Sequence, residues 1–335
     1  MELNTFKVVN FLGLNKNVEL KFQDNKLIMV GENGSGKSQL MCMFSLFFND
    51  LKELARRNFE KIIANINGKE IVLIKDKLEK DYGNFDEEYI DLIREQIKNE
   101  TNGISFIYIG ELSCQQYNDV GDNFLRRLMY LDLITNNKFF VGKFAIRTNN
   151  FLNYNYFDAI KSCIDSILQT PYKHDERVNT AIGAITEYIN IFLNKKDRTP
   201  LVELVNSYFT ITTNGIQLVA DNNARVHFEK NGEPISFNPL ENYFSFGETR
   251  ILNLLQTAFY TNNKVFYIID GIEYGLCVEW QQRILHDLYK FGTCEGFYVN
   301  THSPFVFDSP IQRDLDLNYL VTEMGDVCEI KEENN

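Results

Sequence analysis

Gly31-Glu32-Asn33-Gly34-Ser35-Gly36-Lys37-Ser38 is the stretch that decides the fold, and it lies between an apolar run and an apolar-periodic segment. It completes the pattern G-x-x-x-x-G-K-[ST], in which glycines let successive backbone N–H groups converge on phosphate oxygens. Lys37 can reach the β and γ phosphates of a nucleotide, and Ser38 can ligate Mg²⁺. We therefore predict a phosphate-binding loop, whose other contacting residues are Asn33, Gly34, Ser35 and Gly36.

The residues on either side of this loop agree with that prediction. Lys26-Leu27-Ile28-Met29-Val30 indicates a buried strand that leads into the loop. The run from Gln39 to Phe44 indicates a helix whose positive N-terminus faces the phosphates. A strand, a glycine-rich loop and a helix in this order are typical of an α/β nucleotide-binding sheet.

A second set of strand signals predicts an antiparallel β layer beside that sheet. Residues 6–11 and 18–22 alternate in polarity. Asn-Gly pairs at 67–68, 214–215 and 231–232 each lie between β-rich runs, and Asn-Gly is the strongest short-range hairpin signal.

Composition indicates an ordinary globular protein. The 335 residues are 44% hydrophobic and 24% charged, which suggests about two domains with a large core. The sequence has no signal-peptide pattern and no apolar run long enough to span a bilayer, so we expect a soluble cytoplasmic protein that does not contact membranes. The six cysteines contain no C-x-x-C pair, which argues against a zinc site or a disulfide framework.

The charge balance argues against broad nucleic-acid binding. A net charge of −12 repels phosphate, although residues 51–80 are locally basic and residues 81–100 are strongly acidic. Solvated faces of opposite sign are favoured over a nucleic-acid patch, so binding of nucleic acid is possible but is not indicated by charge.

The middle of the chain is mostly helical in pattern. A stripe of apolar residues at helical spacing is more typical of a core than of a ligand surface; it comprises Val178, Ile182, Ile185, Ile189 and Phe192. Sustained heptads are absent, which argues against long coiled-coil arms. We predict residues 1–84 and 205–335 as the two halves of the nucleotide-binding domain, and residues 85–204 as a compact, mainly helical insertion.

Three later segments resemble motifs of ABC-type ATPase heads. The first, Tyr243-Phe244-Ser245-Phe246-Gly247-Glu248, resembles the signature motif, in which Ser245, Gly247 and Glu248 would begin a helix facing a γ-phosphate. The alternative is an ordinary helix N-cap, because serine before Gly-Glu caps well by itself. In the family this helix lies against the nucleotide of another subunit, so the resemblance implies a head-to-tail dimer, or a larger homo-oligomer, with ATP at the interface.

The second and third segments carry the polar residues of the expected active site. Val265-Phe266-Tyr267-Ile268-Ile269-Asp270 resembles a Walker B strand, in which Asp270 would hold Mg²⁺ next to Ser38. An apolar strand precedes Thr301-His302-Ser303-Pro304, where by resemblance His302 would contact the γ-phosphate. A capping histidine is the alternative.

Taken together, Ile269-Asp270-Gly271-Ile272-Glu273 and Thr301-His302-Ser303-Pro304 resemble the head of the overcoming-lysogenization-defect (OLD) family and its AAA-15/AAA-21 relatives. The resemblance covers the N-terminal strands, the phosphate loop and residues 243–305. It implies an ATPase that uses ATP and Mg²⁺. OLD nucleases also carry a C-terminal TOPRIM domain, which this sequence lacks after His302, so we expect a separate effector protein, as in two-component antiviral defence systems.

One departure from the family pattern concerns catalysis. Most relatives place a glutamate directly after the Walker B aspartate to orient the attacking water, and this chain has Gly271. Glu273 matches the second acid of the pattern and is the candidate replacement. A positioned base contributes roughly 10²–10⁴-fold in rate, so we expect slow turnover, and we expect Gly271→Glu to raise it if the backbone tolerates a side chain.

Three functions remain open from the sequence. The first is an ATP-dependent sensor or scaffold that controls a separate effector, which by resemblance would be a nuclease. The second is a RecF- or SMC-like DNA-binding ATPase in repair, since Ser105 to Ile109 followed by residues 121–127 and Asp132 weakly resembles RecF-type proteins. The third is a non-hydrolysing structural subunit joined by ATP, which Gly271 supports.

Overall fold

The computed structural model describes residues 1–81, 84–110, 197–210, 215–220, 226–234, 245–260, 264–291, 293–309 and 321–323, with 179, 182 and 311. The chain divides into two compact units, one formed by Met1–Asn118 with Asn263–Asn335 and the other by Asp119–Asn262. Among the described residues, no helix is long and apolar enough to cross a membrane.

The elements are numbered in chain order over the described residues. The strands are β1 (Leu3–Val9), β2 (Val18–Lys21), β3 (Lys26–Val30), β4 (Lys61–Ile66), β5 (Lys69–Ile74), β6 (Glu79–Asp81), β7 (Asn84–Phe85), β8 (Ser105–Ile109), β9 (Ile216–Ala220), β10 (Val226–Lys230), β11 (Glu233–Pro234), β12 (Val265–Asp270), β13 (Cys294–Asn300) and β14 (Val321–Glu323). The helices are α1 (Lys37–Asn49), α2 (Leu51–Ala55), α3 (Glu87–Thr101), α4 (Thr199–Phe209), α5 (Phe246–Tyr260), α6 (Val278–Gln281), α7 (Ile284–Phe291) and α8 (Pro304–Phe307).

A parallel sheet forms the centre of the first unit. Its order is β14-β3-β13-β12-β8, and every neighbouring pair is parallel. The first five residues of β12 are all buried, as expected of a strand that is covered on both faces. Because the strands are parallel, the carboxyl ends of β3, β13 and β12 meet at one edge of the sheet, where Gly31, Thr301 and Gly271 follow them.

The second sheet of this unit is antiparallel, with the order β2-β1-β4-β5. Burial alternates along β4, which indicates one face toward the core and one toward solvent. Asn67 and Gly68 join β4 to β5 with φ values of 53° and 76°, as a tight hairpin turn requires. The predicted α/β fold, with a phosphate-loop sheet and an antiparallel β layer, is confirmed.

Helix α1 packs between these two sheets. The ring of Phe44 lies 4.9 Å from the ring of Phe6 on β1, 5.4 Å from that of Tyr298 on β13 and 5.8 Å from that of Phe266 on β12. Most of the helix is buried, including the run from Leu40 to Phe47. The first turn of α1, where the phosphate loop ends, is therefore anchored in the core of the unit.

Two elements of the first unit lie in the stretch that the sequence assigned to the insertion. Helix α3 packs against β5, and β8 pairs in parallel with β12 in the central sheet. The first unit extends to Asn118, whereas the change of periodicity suggested a boundary near residue 85. Most of the remaining insertion, including all of the proposed apolar stripe except the buried Ile182, lies outside the described residues.

The second unit contains an antiparallel sheet with the order β11-β10-β9. Asn231 and Gly232 turn between β10 and β11 with φ values of 54° and 83°, which confirms a second hairpin predicted from the sequence. The amide of Asn206 on α4 bonds both the N–H and the C=O of Leu218 on β9. Helix α4 also packs against α5, which carries the residues of the candidate signature motif.

Four basic side chains between residues 51 and 80, those of Lys52, Arg56, Arg57 and Lys69, pair with nearby acids. Lys52 contacts Glu87 at 2.6 Å, Lys69 contacts Glu100 at 2.6 Å, and Arg56 contacts Glu53 at 2.6 Å. Such exposed pairs contribute little to stability, but they reduce the positive field of the surface. This pairing favours the interpretation as solvated faces over a nucleic-acid patch.

Candidate nucleotide-binding site

The predicted phosphate loop connects β3 to α1 in a conformation that needs glycine. Gly31, Gly34 and Gly36 have φ values of 150°, 80° and 101°. At Gly34 an added Cβ would meet nothing within 4 Å, so the positive φ, and not crowding, favours glycine there. Gly36 is the N-cap of α1, and the residues that follow it, Lys37 and Ser38, form the first turn.

The side chain of Lys37 is buried beneath the phosphate loop. It is 5% exposed, and its Nζ donates to the carbonyl oxygens of Gly31 and Glu32, each at 2.8 Å. Burial lowers the pKa of the Lys37 ammonium, while the carboxylates of Asp270 and Glu273 act to raise it. The cation therefore lies in a partly desolvated position where an anion would be strongly attracted.

The start of α1 offers further groups to an anion. In the part of the chain that the structure describes, the backbone N–H groups of Gly36, Lys37 and Ser38 donate to no protein acceptor. Unpaired N–H groups and the positive end of the helix dipole make such a terminus a binding place for phosphate. The side chain of Ser38 is exposed at the same place. These residues fit a nucleotide polyphosphate.

Asp270 ends β12 and is oriented by two neighbouring strands. Its Oδ1 accepts from Asn300 Nδ2 at 3.2 Å, and its Oδ2 lies 3.5 Å from the hydroxyl of Tyr108 on β8. Asn300 is 2% exposed, and its buried Oδ1 has no hydrogen-bond partner. Both residues were missed from the sequence; the only available signal was that Asn300 directly precedes the Thr-His-Ser-Pro segment.

Oxygen atoms of Asp270 and Ser38 are also candidate ligands for Mg²⁺. Mg²⁺ prefers oxygen ligands and is usually held by one or two protein groups together with phosphates and water. The carboxylate of Asp270 and the hydroxyl of Ser38 suit that pattern. No cluster of three or more His, Cys, Asp or Glu that could hold an ion by itself occurs among the described residues.

Glu273 contacts the segment that carries His302. Its Oε2 accepts from Thr301 Oγ1 at 2.7 Å, and its Oε1 accepts from the backbone N–H of His302 at 2.9 Å. Thr301 is fully buried, whereas the His302 side chain is exposed. The Glu273 carboxylate thus holds a backbone segment as well as lying near Lys37.

Gly271 lies in a tight turn between β12 and Glu273. Its φ is +63°, its N–H donates to Asn300 O at 3.0 Å, and its C=O accepts from the N–H of Tyr274 at 3.1 Å. A Cβ at Gly271 would overlap the ring of Tyr274. The position directly after Asp270 is therefore closed to a side chain in this conformation.

The candidate signature residues begin α5 in the second unit. The N–H of Ser245 donates to Glu248 Oε2 at 2.7 Å, and the N–H of Glu248 donates to Ser245 Oγ at 3.2 Å. This reciprocal pair is a capping box, and Glu248 is fully buried. The capping alternative is thus realised; Ser245 itself remains exposed at the helix start, whereas Gly247 is buried.

Comparisons with known proteins give weak resemblances only. No family model matches the chain, and no curated protein matches it. Solved structures with a similar backbone fold include SMC head domains. One, from Pyrococcus furiosus, has an extended coiled coil and is bound to the C-terminal domain of ScpA; it is 14% identical, covers 91% of this chain and 90% of its own, and has a TM-score of 0.45.

Two others resemble the chain to the same degree. An SMC head bound to the C-terminal winged-helix domain of ScpA is 15% identical over 91% of both chains, with a TM-score of 0.45. The SMC head domain from Thermotoga maritima is 14% identical over 92% of both chains, with a TM-score of 0.40. Because these identities and TM-scores are low, the assignment of the architecture is based on the strand order and the phosphate loop of this chain itself.

Proposed function

We propose that the chain is an ABC-type ATPase head that binds Mg-ATP at the start of α1. The observation that carries this proposal is the buried Lys37 ammonium, held beneath a loop whose following helix presents unpaired N–H groups. A bound triphosphate would offset the free-energy cost of desolvating the Lys37 ammonium, and its oxygens would accept hydrogen bonds from the N–H groups at the start of α1. Asn33, Gly34, Ser35 and Gly36 form the rest of the cradle.

Ser38 and Asp270 would hold Mg²⁺, which neutralises charge on the transferring phosphoryl group when it is bound. Asn300 and Tyr108 keep the Asp270 carboxylate in one orientation. His302, exposed at the end of the neighbouring strand, would contact the γ-phosphate. The strand that carries it lies between the phosphate-loop strand and the Walker B strand, so its end is flanked by both groups.

ATP binding is tested by calorimetry on the wild type and on Lys37→Ala. We expect the variant to lose measurable affinity, because the charge that faces the β and γ phosphates is removed. Lys52→Ala is a matched control, since Lys52 is an exposed lysine that pairs with Glu87. Near-native ATP affinity in a folded Lys37→Ala protein would overturn the proposal.

The assembly state follows from the signature resemblance. In ABC-type ATPases the helix that begins at this motif faces the nucleotide of another subunit, so we propose a head-to-tail dimer, or a larger homo-oligomer, that forms around ATP. The resemblance to OLD-type heads further supports a sensor or scaffold that controls a separate effector, such as a nuclease, in antiviral defence. Nucleotide-dependent co-purification of a nuclease from the native host tests that role.

A second candidate is a structural subunit that binds ATP without hydrolysing it. The closed position at Gly271, against the ring of Tyr274, favours it. Steady-state measurement of ATP turnover separates the two functions: slow but Asp270-dependent hydrolysis supports the ATPase, and none supports the structural subunit. Stimulation of turnover by DNA would instead support a repair ATPase. Of the segment that resembles RecF-type proteins, Ser105–Ile109 forms β8, whereas residues 121–127 and Asp132 lie outside the described residues.

A further inference from the structure

We propose that Glu273 is a positioning residue that holds His302 toward the nucleotide, and is not the group that activates water. We call residues 301–303 the switch loop and residues 271–276 the Walker B turn. The inference deepens the proposed function and rests on it in one respect, because it takes His302 to contact the γ-phosphate.

The first observation is that both oxygens of the Glu273 carboxylate are engaged by the switch loop. Oε2 accepts from the Thr301 hydroxyl at 2.7 Å, and Oε1 accepts from the N–H of His302 at 2.9 Å. Hydrogen bonds to an ionised acceptor are among the stronger ones in proteins. Two of them from adjacent residues fix the plane of the carboxylate and the backbone that it faces.

The second observation is that this contact belongs to a closed ring of hydrogen bonds. The Thr301 hydroxyl accepts from the N–H of Ser303 at 3.0 Å, and Ser303 Oγ donates to Gln281 Oε1 at 2.5 Å. Gln281 Nε2 in turn donates to the carbonyl of Leu276 at 2.7 Å, at the end of the Walker B turn. The switch loop is thus joined to that turn both directly, through Glu273, and through α6.

The third observation concerns the histidine itself. The N–H of Thr301 donates to Met29 O at 3.1 Å, which ties the switch loop to the phosphate-loop strand. In the described part of the chain the imidazole of His302 makes no hydrogen bond, and it is exposed. Because the ring has no protein partner there, its position depends on the backbone that Glu273 holds.

Two substitutions separate positioning from base catalysis. In Glu273→Gln the amide oxygen can still accept from the His302 N–H, and the amide NH₂ can donate to the Thr301 oxygen after the hydroxyl rotates. This variant keeps the contact with the switch loop but removes the basic carboxylate. Glu273→Ala removes both the contact with the switch loop and the basic carboxylate. Glu279→Gln and Glu279→Ala are the matched controls, because Glu279 is an exposed glutamate on α6.

The first measurement needs no nucleotide. Hydrogen exchange of the His302 amide, followed by NMR, should be at least about tenfold faster in Glu273→Ala than in the wild type, because its acceptor is lost. The rate in Glu273→Gln should stay within about threefold of the wild type. Unchanged exchange in Glu273→Ala would overturn the proposal, whether or not the chain binds ATP.

The second measurement is the ratio of ATP to ADP affinity, obtained by calorimetry. Glu273→Ala should bind ATP about tenfold more weakly, with ADP affinity unchanged, since only ATP carries the phosphate that His302 would contact. Glu273→Gln should keep the wild-type ratio and at least about a third of the wild-type turnover. If Gln and Ala instead abolished turnover equally while both preserved the ATP to ADP ratio, Glu273 would be the base.

Thr301→Val provides a second variant in case Glu273→Ala does not fold. It removes the hydroxyl from the ring of hydrogen bonds but leaves the Glu273 carboxylate available as a base. Because the bond from the His302 N–H to Glu273 Oε1 remains in Thr301→Val, positioning predicts a smaller loss of ATP preference than in Glu273→Ala, in the same direction. Base catalysis predicts wild-type behaviour. A wild type that bound no ATP would contradict the proposed function, and the amide exchange would then report on the contact alone.

Discussion

Gly271 shows how one residue limits what the site can do. Its φ of +63° favours glycine, and the ring of Tyr274 occupies the space that a Cβ would need. The sequence suggested that a glutamate introduced here would raise turnover if the backbone tolerated a side chain. The structure does not meet that condition, since a side chain at this position would be strained by the positive φ and would overlap the ring of Tyr274.

We therefore expect Gly271→Glu to lower the free energy of unfolding by about 1–3 kcal/mol, the usual cost of such a conformation, without raising ATP turnover. Urea denaturation and steady-state turnover measure the two effects. Gly271→Ala is the control, because it introduces the same strain and overlap without a carboxylate. A Gly271→Glu protein with wild-type stability and faster hydrolysis would show that the turn opens.

Cys294, at the start of β13, gives a prediction about pH. Burial raises the pKa of its thiol from 9.0 to about 12. Between these values the unfolded chain has released its proton and the folded chain has not, so stability falls as pH rises, by about 1.4 kcal/mol per pH unit. Below about pH 9 this thiol contributes no pH dependence.

The test compares the wild type with Cys294→Ser from about pH 8 to about pH 10, where the buried hydroxyls of Tyr267 and Tyr298 contribute least. Burial raises the pKa of each of these tyrosines above 10.0, so they reduce stability only once the tyrosines of the unfolded chain ionise, at about pH 10. Serine keeps a donor for the carbonyl of Gly296, which Cys294 contacts at 3.4 Å. We expect a shallower loss of stability in the variant, and identical slopes would contradict the assignment.

At the scale of elements, the residues that begin α5 fit two roles, a helix cap and a signature motif. Ser245 and Glu248 form a capping box, which satisfies N–H groups at the helix terminus. Of the candidate signature residues only Ser245 is exposed, and its side chain is the group that a phosphate from another subunit would contact. A capping role and a signature role are therefore compatible, but a substitution at Ser245 affects both.

We expect Ser245→Ala to destabilise the protein by about 1 kcal/mol, because the serine cap is lost. Ser245→Asn should retain most of the stability, since asparagine caps as well as serine. Chemical denaturation of the three proteins checks this. Equal stability of the alanine variant and the wild type would mean that the capping box contributes nothing.

At the scale of the whole molecule, the prediction concerns the proposed association of subunits around ATP. Light scattering should show wild-type protein shifting from monomer to dimer, or to a larger oligomer, when Mg-ATP is added. Ser245→Arg should bind ATP as the wild type does but remain monomeric, because its side chain would occupy the space of the partner's γ-phosphate. Ser245→Ala separates this effect from loss of the cap, as it lacks the bulk.

Two outcomes would contradict this arrangement. Loss of ATP affinity in Ser245→Arg, with association unchanged, would mean that α5 serves the nucleotide of its own subunit. ATP-dependent association that persists in Lys37→Ala would mean that the nucleotide does not join the subunits through the phosphate loop.

The sequence by itself determined the features that depend on short segments. The glycine pattern before Lys37, the apolar run ending in Asp270 and the Asn67-Gly68 turn predicted elements whose bounds the structure confirms closely, because each requires only local backbone geometry. Resemblance of the same segments supplied the expected roles of Ser245 and His302, which remain predictions.

Only the tertiary structure decided which segments meet. It placed β8 in the central sheet, although the change to helical periodicity put it in the insertion, since strand pairing with β12 joins residues far apart in sequence. It also brought Asn300 and Tyr108 to Asp270, and Thr301 to Glu273. Pairing between distant segments follows from packing of the whole unit, and periodicity along the chain indicates which face a side chain lies on but not which segment it meets.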